Sequence, residues 1–498
     1  MNLFEAITEW FCNNIVWGTP MVVFIFGAGI FLSYKLDFLQ ITHLPLIFKN
    51  TVATLFKKGD KNKSEKGISQ LGVISTALAA TIGTGNIAGV ATAIAIGGAG
   101  AIFWMWVSAI FSMATAYSEN LLGVYYRQKN KKGEFVGGAM YYIKNGLKGR
   151  RFLGVLAVPL AFLFACFCLF SSLGMGNMIQ VNTVAELFKN KVLGISLPPI
   201  ITAVILSGFV GFAIFGGAKR ICKITEKLVP FMAFIYVFGS LLVIAVNFKN
   251  LHNAVISVFK GAFGVGALLG GFSGYGVKIA LNTGLKRGIF SNEAGLGSAT
   301  LIGACSEVKE PAVQGMWGIF TVFFDTIIGC TLTAFAILTS GVQASENNMG
   351  LLLVTEAFSK SLGSGAGELV SVLTLLFALS TIIGWSFYGI KAAEYLLGER
   401  FIWIYKILFT LAVFPGALLN LKTVWTLADI FNGLMAVPNL IGVLALTKQV
   451  ISVTNNYKER VFKNKDYIPP MISAPLKNEK QKTPSAKAKS VLKDFKLF

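Results

Sequence analysis

The chain has 498 residues, of which 54% are hydrophobic and 13% charged, and its mean hydropathy is +0.67. That composition excludes a soluble globular domain and points to an integral membrane protein. The formal net charge of +21 comes without an aromatic-and-basic module, so it does not indicate nucleic-acid binding.

In chain order, the opening MNLFEAITEW carries Glu5 and Glu9 but no base. It therefore lacks the positive region of a cleaved signal peptide, and the first apolar stretch is expected to stay as a span. Apolar runs then recur near 15–34, 68–96, 99–126, 152–174, 196–217, 226–247, 254–282, 314–340, 366–390, 402–419 and 424–447, which makes about eleven spans. They are too long and too uniformly apolar for barrel strands, so the fold class is an all-α polytopic bundle. Lysine and arginine crowd alternate loops: Lys49 to Lys66, Arg127 to Arg151, and Lys219 to Lys227. The positive-inside rule makes those loops cytoplasmic, with the amino terminus outside and the carboxyl terminus inside. The segments expected are 1–67, a first span and basic loop; 68–250 and 251–447, two five-helix units; and 448–498, a basic disordered tail. Anionic lipid heads are one partner for the tail's lysines, and a solvated tail that only sets topology is the other reading.

Six cysteines are scattered without zinc-site or C-x-x-C spacing and read as small buried hydrophobes, and only two histidines, His43 and His252, are present. Neither a histidine metal site nor a histidine proton relay can be assembled. The enzyme signatures H-E-x-x-H and G-x-S-x-G are also absent, so no catalytic residues are assigned.

The second span is interrupted at its midpoint by Thr81–Gly89, TIGTGNIAG. Gly85 and Gly89 have the spacing that lets membrane helices pack closely. Packing alone leaves Thr81, Thr84 and Asn86 unexplained. The other reading is an unwound hinge, tolerated in a membrane only where it lines a cavity or is buried in protein. A second glycine-rich stretch, 261–276, falls in the seventh span. Five is odd, so the two breaks run in opposite senses, which predicts an inverted repeat.

The motifs STALAATIGTGNIAGVATAIAIGGAGAIFWMW (75–106), GNMIQVN (176–182), IFGGAKRI (214–221), TEKLVPFMA (225–233), RGIFSNEAGLGSA (287–299), QGMWGIFTVFFDTIIGCTLTA (314–334) and TIIGWSFYG (381–389) together resemble the alanine or glycine:cation symporter family. The resemblance covers most of 68–447. It implies a leucine-transporter-like fold, two inverted five-helix repeats after one extra span. It also implies secondary transport of a small neutral amino acid, alanine or glycine, with sodium or a proton and no other cofactor. The sequence departs from the family's usual residues at Ala99, Ala139, Ile390 and near Asn282.

By that resemblance the loosened backbone at Gly83, Thr84 and Gly85 receives the substrate carboxylate. Gly270, Gly271, Phe272 and Ser273 close the opposite side, Gln180 accepts from the ammonium, and Trp385 walls the pocket. Sodium is held by the Ala79 and Ile82 carbonyls with the Ser380 and Thr381 hydroxyls. For these two hydroxyls, bonding back to their own helix is the competing reading. Thr81 and Asn86 offer a second cation site. Asp325, deep in the eighth span, is a proton carrier or gate by the cost of isolating a carboxylate in lipid. Glu119 and Glu226 are expected to pair with Arg127 or Lys223. A proton-coupled symporter, and a channel or sensor on the same scaffold, remain alternatives.

Overall fold

The computed structural model describes residues 3–55, 67–190, 192–264, 272–345, 348–419, 422–462, 465, 467–473 and 475–476. The chain opens with α1 (Leu3–Lys35). Short helical segments follow at Leu39–Thr42, Leu44–Asn50 and Val52–Leu55, and past residue 67 come α2 (Gln70–Thr81) and α3 (Gly85–Gly97), which meet at a bend of 49°. The first half of the bundle is completed by α4 (Gly100–Tyr125), the short α5 (Ala139–Leu147), α6 (Leu153–Lys189), α7 (Pro199–Phe215) and α8 (Gly217–Val246). The second half holds α9 (Leu251–Phe263), α10 (Phe272–Asn292), the single turn α11 (Thr300–Gly303), α12 (Pro311–Ser340), α13 (Leu351–Leu362), α14 (Ser364–Leu397), α15 (Glu399–Leu418) and α16 (Val424–Ala445). A last helix, α17 (Thr447–Tyr457), follows.

Among the described residues eight helices are long and apolar enough to span a membrane, and the bent α2–α3 pair is a ninth. Their outward faces keep large apolar side chains exposed, such as Val155, Phe234 and Trp403, where lipid rather than water is the solvent. Backbone signals set the helix ends. Ser69 Oγ accepts from the Gly72 N–H at 3.1 Å and caps α2, and Pro311 opens α12 with no amide to strand.

Of the glycine-rich stretch 261–276 expected to break the seventh span, residues 265–271 lie outside the described residues. Gly261 belongs to α9 and packs against Gly100; a Cβ there would lie 2.7 Å from the Gly100 nitrogen. Close packing explains that glycine, and α9 ends in a left-handed Gly264. The span is instead α10, which continues into Glu293–Ala299 and α11. Residues 291–298 and 300–303 are buried, yet 293–299 are not helical, with Glu293, Gly295 and Gly297 at positive φ. The bundle therefore contains a second broken span, one short of helix rather than short of charge.

The two broken spans run in opposite senses. Gly97, at the far end of α3, packs on Ala280 and Thr283 near the start of α10. At the other face Ile68, just before α2, pairs in parallel with Ser306, just after α11. Each break thus opens a set of five: α2–α3, α4, α6, α7 and α8, then α10–α11, α12, α14, α15 and α16. The all-α fold is two inverted five-helix repeats behind one extra helix, α1.

The stretch after Lys448 is more structured than its lysines suggested. Val450, Val453 and Tyr457 of α17 are buried. The Tyr117 and Thr454 hydroxyls are 2.9 Å apart, and Arg127 Nε donates to Ser473 Oγ at 3.3 Å. The lysines from Lys477 to Lys496 lie outside the described residues.

Candidate functional site

Helix α2 stops because Ile82 is extended, at φ −76° and ψ 90°. The Gly83 N–H turns away from its helical acceptor and donates to Asn86 Oδ1 at 3.2 Å. The last carbonyls of α2 and the first amides of α3 therefore have no partners within the helices. Past the break, Gly85–Gly89 widens into a π turn. Similar widened turns occur at Gly174–Met178 in α6 and Phe323–Cys330 in α12. Such turns re-aim side chains at functional places, and here they carry or adjoin Asn86, Gln180 and Asp325.

On the amide side of the break lies a cavity of about 570 Å³, whose walls include Thr84, Gly85, Gln180, Phe290, Arg287 and Asp429. It reaches exposed Ile96 and Trp425, so it opens toward the face where the chain begins. Gln180 donates to the Met175 carbonyl at 3.3 Å while its buried Oε1 has no partner. Gln180 lines the cavity, and its Oε1 is a buried acceptor that lacks a donor.

On the carbonyl side, Thr381 Oγ1 lies 3.1 Å from the Ala79 oxygen and 2.9 Å from the Phe377 oxygen. A Cβ on Gly83 would come within 2.7 Å of the same hydroxyl. The structure thus brings Thr381, Ala79 and Gly83 together. Ser380 Oγ turns back onto the Phe377 carbonyl at 2.8 Å.

Asp325 joins the two broken spans. Its Oδ1 accepts from Asn86 Nδ2 at 2.8 Å, and its Oδ2 accepts from Ser291 Oγ at 2.7 Å and Thr326 Oγ1 at 2.9 Å. Asn86 also has its Oδ1 bonded by Gly83, so both ends of its amide are engaged where Thr81 and Asn86 were expected to hold a cation.

Trp385 is placed differently from expectation. It is buried against Gly176, lies close to the Glu293 carboxylate, and is not among the cavity's lining residues. Gly270 and Gly271 lie outside the described residues, and Phe272 and Ser273 begin α10. The aromatic residue beside Gly85 is Phe290, with ring carbons 4.0 Å from a Cβ built there. Neither Phe290, Ser291 nor the unwound Glu293–Ala299 was anticipated as part of the site. The asparagine and two glycines of SNEAGLG were the available signal.

The expected partners of Glu119 and Glu226 are also replaced. Glu119 accepts from Asn439 Nδ2, which also donates to the Gly295 carbonyl at 2.8 Å, so it anchors the second break through Asn439. Glu226 accepts from Ser69. Arg127 instead donates to the Ser306 and Val308 carbonyls, each at 2.8 Å, and lies over the Phe135 ring at 3.9 Å. Burial pushes its guanidinium down to about 10, which leaves it charged at neutral pH.

The base-rich face is closed. Ile68 N–H donates to the Cys305 carbonyl and Glu307 N–H to the Ile68 carbonyl, both at 3.0 Å. Gln70 Nε2 reaches Gln314 Oε1 at 3.2 Å. Beneath them a separate crevice of about 350 Å³ is lined by Cys222, Cys305, Glu226 and Lys391.

This architecture has known relatives. The sequence matches the family model described as "Sodium:alanine symporter family" over residues 1–469. It is 42% identical over 454 residues to the sodium/alanine symporter AgcS of Methanococcus maripaludis, covering 90% of this chain and 96% of that protein. An uncharacterized transporter of Haemophilus influenzae is 41% identical, covering 90% of this chain and 95% of its own length. The probable sodium/glutamine symporter GlnT of Bacillus subtilis is 35% identical, covering 91% of each. The chain belongs to the sodium:alanine symporter family, a family of membrane transporters and not of enzymes.

Proposed function

We propose that the protein imports a small neutral amino acid, alanine or glycine, together with sodium by alternating access across the cell membrane. In this reading the base-rich face is cytoplasmic by the positive-inside rule, and the amino-terminal face is outside. The observation that carries it is the break at Ile82–Thr84, which separates freed amides from freed carbonyls at one hinge. The amides of Thr84 and Gly85 suit a carboxylate at a helix start, and Gln180 Oε1 suits the ammonium. Sodium takes the Ala79 and Ile82 carbonyls with Thr381, and Ser380 joins them if its hydroxyl turns from Phe377. Both ligands order the same hinge, from its two sides, so each raises the other's affinity, and linkage makes the effect reciprocal.

Radiolabelled alanine uptake into proteoliposomes tests this, with sodium and proton gradients imposed separately. Uptake should follow the inward sodium gradient and show counterflow. Uptake that ignores sodium and follows protons would transfer the coupling role to Asp325, a reading favoured by the way its carboxylate ties Asn86 to Ser291. Unsaturable flux without counterflow would leave a channel or sensor. Competition by glycine, serine and glutamine fixes the substrate range, because one methyl group changes selectivity by only about 1–3 kcal/mol.

A further inference from the structure

The edge on which Ile68 closes is held from behind by one side chain. Residues 304–308 alternate: the Cys305 carbonyl and the Glu307 N–H face Ile68, while Arg127 donates to the Ala304, Ser306 and Val308 carbonyls at 3.4, 2.8 and 2.8 Å. The guanidinium stands where a neighbouring strand would stand, and its planar fork of donors suits that task as a lysine ammonium does not. Arg127 is 1% exposed, and its fourth acceptor is the Ser473 hydroxyl, beyond α17. A buried charge is tolerable only while such partners stay in place. Ser473 is itself fully buried, with Ile472 buried beside it. Asn456 of α17 fixes residues 467–473, donating to the Pro469 carbonyl at 3.0 Å and accepting from the Met471 N–H at 3.2 Å. Just past α17, Arg460 pairs with Glu310, at the far end of the same edge. The carboxyl-terminal segment therefore grips the gate edge twice, through Arg127 and through Glu310.

We propose that Arg127, α17 and residues 467–473 form a latch on the base-rich gate, which holds 304–310 in the register that pairs with Ile68 and so favours the state closed on that face. Arg127 is a positioning residue, acting through the gate edge. With the edge preformed, closure orders only the start of α2, where Gly67 comes so near that a Cβ would lie 2.7 Å from Glu307 Cα. With the latch released, closure must order the edge as well, and that entropy cost moves the population toward the open face. Sodium at the hinge favours the closed face in this reading, so after release more sodium is needed for the same closure. The inference rests on the alternating-access reading above and adds the element that sets the balance between its two states.

The full-length protein with Cys222 as its one remaining cysteine tests the proposal. Cys222 lies 3.2 Å from a Cβ built on Gly72 of α2, so it is uncovered when α2 leaves the gate edge. Ser473→Lys sets a second cation against Arg127 and expels the segment, Arg460→Gln opens the other grip, and Arg460→Lys restores it. In saturating sodium, a membrane-impermeant maleimide applied to the base-rich face should label Cys222 about fivefold faster in Ser473→Lys than in the parent, the worth of one net hydrogen bond. Arg460→Gln should label faster by a smaller factor, and Arg460→Lys at close to the parent rate. The sodium concentration for half-maximal alanine uptake should rise in the same order. Parent labelling rates in both Ser473→Lys and Arg460→Gln overturn the latch, even if their thermal midpoints fall, because the segment then serves only the fold; sodium-driven uptake in the parent leaves the transport reading standing. A parent whose labelling ignores sodium and which takes up no alanine overturns the transport reading, while faster labelling of Ser473→Lys would still support the latch.

Discussion

Thr381 has one hydroxyl proton and two carbonyls competing for it, Ala79 at 3.1 Å and Phe377 at 2.9 Å. While the proton points to Phe377, the oxygen's lone pairs are free for a cation shared with Ala79. Thr381→Val keeps the shape and removes that oxygen, so the sodium concentration for half-maximal uptake should rise about tenfold, or about 1.4 kcal/mol. Ser380→Ala should have a smaller effect, since its hydroxyl already faces its own helix. A sodium titration of alanine uptake that is unchanged in Thr381→Val removes the residue from the cation site. Asp325→Ala is expected to take the carboxylate acceptor from the Ser291 and Thr326 hydroxyls and to leave Asn86 Nδ2 with only the backbone carbonyl of residue 325, at 3.1 Å, in place of two oxygen acceptors there, at about 1–3 kcal/mol for each lost partner. That loss should appear as a lower thermal midpoint in detergent as well as lost uptake. Asp325 was legible in the sequence because a carboxylate amid apolar residues is conspicuous. Ser291 was not, because a serine at a helix end looks the same whether it faces solvent or a buried carboxylate.

The two breaks differ in how openly the sequence declares them. In the first, Gly83, Gly85 and Asn86 interrupt residues that are otherwise apolar, so the hinge shows as a change in composition. In the second, Lys286 and Arg287 precede the unwound segment by two turns and imitate the end of a span. They are tolerated because they face the cavity, a fact about water access that hydropathy does not contain. Glycine count misled in the opposite direction at Gly261, where contact with Gly100 and not unwinding requires the missing side chain. Backbone geometry separates the two uses of glycine. Gly297 has φ +75° and Asn439 Oδ1 within 2.7 Å of a built Cβ, so Gly297→Ala should cost at least the roughly 1–2 kcal/mol of a left-handed residue, visible as reduced thermal stability. Gly83 is different, since its built Cβ meets only the Thr381 side chain. Gly83→Ala should therefore weaken sodium binding through Thr381, and in a double-mutant cycle with Thr381→Val the two effects should fall short of additive. Full additivity would place Gly83 outside the cation site.

At the scale of the whole molecule, the broken spans touch at both ends, but the way to the hinge is shut only near the base-rich face. Near the base-rich face they are tied by the Ile68–Cys305 and Glu307–Ile68 hydrogen bonds, and Arg127 holds the same strand through the Ser306 and Val308 carbonyls. Toward the opposite face the cavity runs down to Thr84 and Gly85. Access from one side only is what a carrier needs, provided that a second state reverses it. Passing to that state requires Ile68 to leave Cys305, and the contact between Thr381 and Ala79 resists this by holding α14 against α2. Sodium bound there strengthens the same contact, so it should favour the closed base-rich face, to the extent that its affinities for the two states differ. Cys305 reports the change: it is buried and lines the crevice beneath the Ile68 pairing. In a protein whose other five cysteines are replaced, a membrane-impermeant maleimide applied from the base-rich side should label Cys305 several-fold faster without sodium than with it. Thr381→Val should abolish that sodium protection while leaving the sodium-free rate unchanged. Equal labelling rates with and without sodium in the unaltered hinge would mean that the ion does not govern this closure.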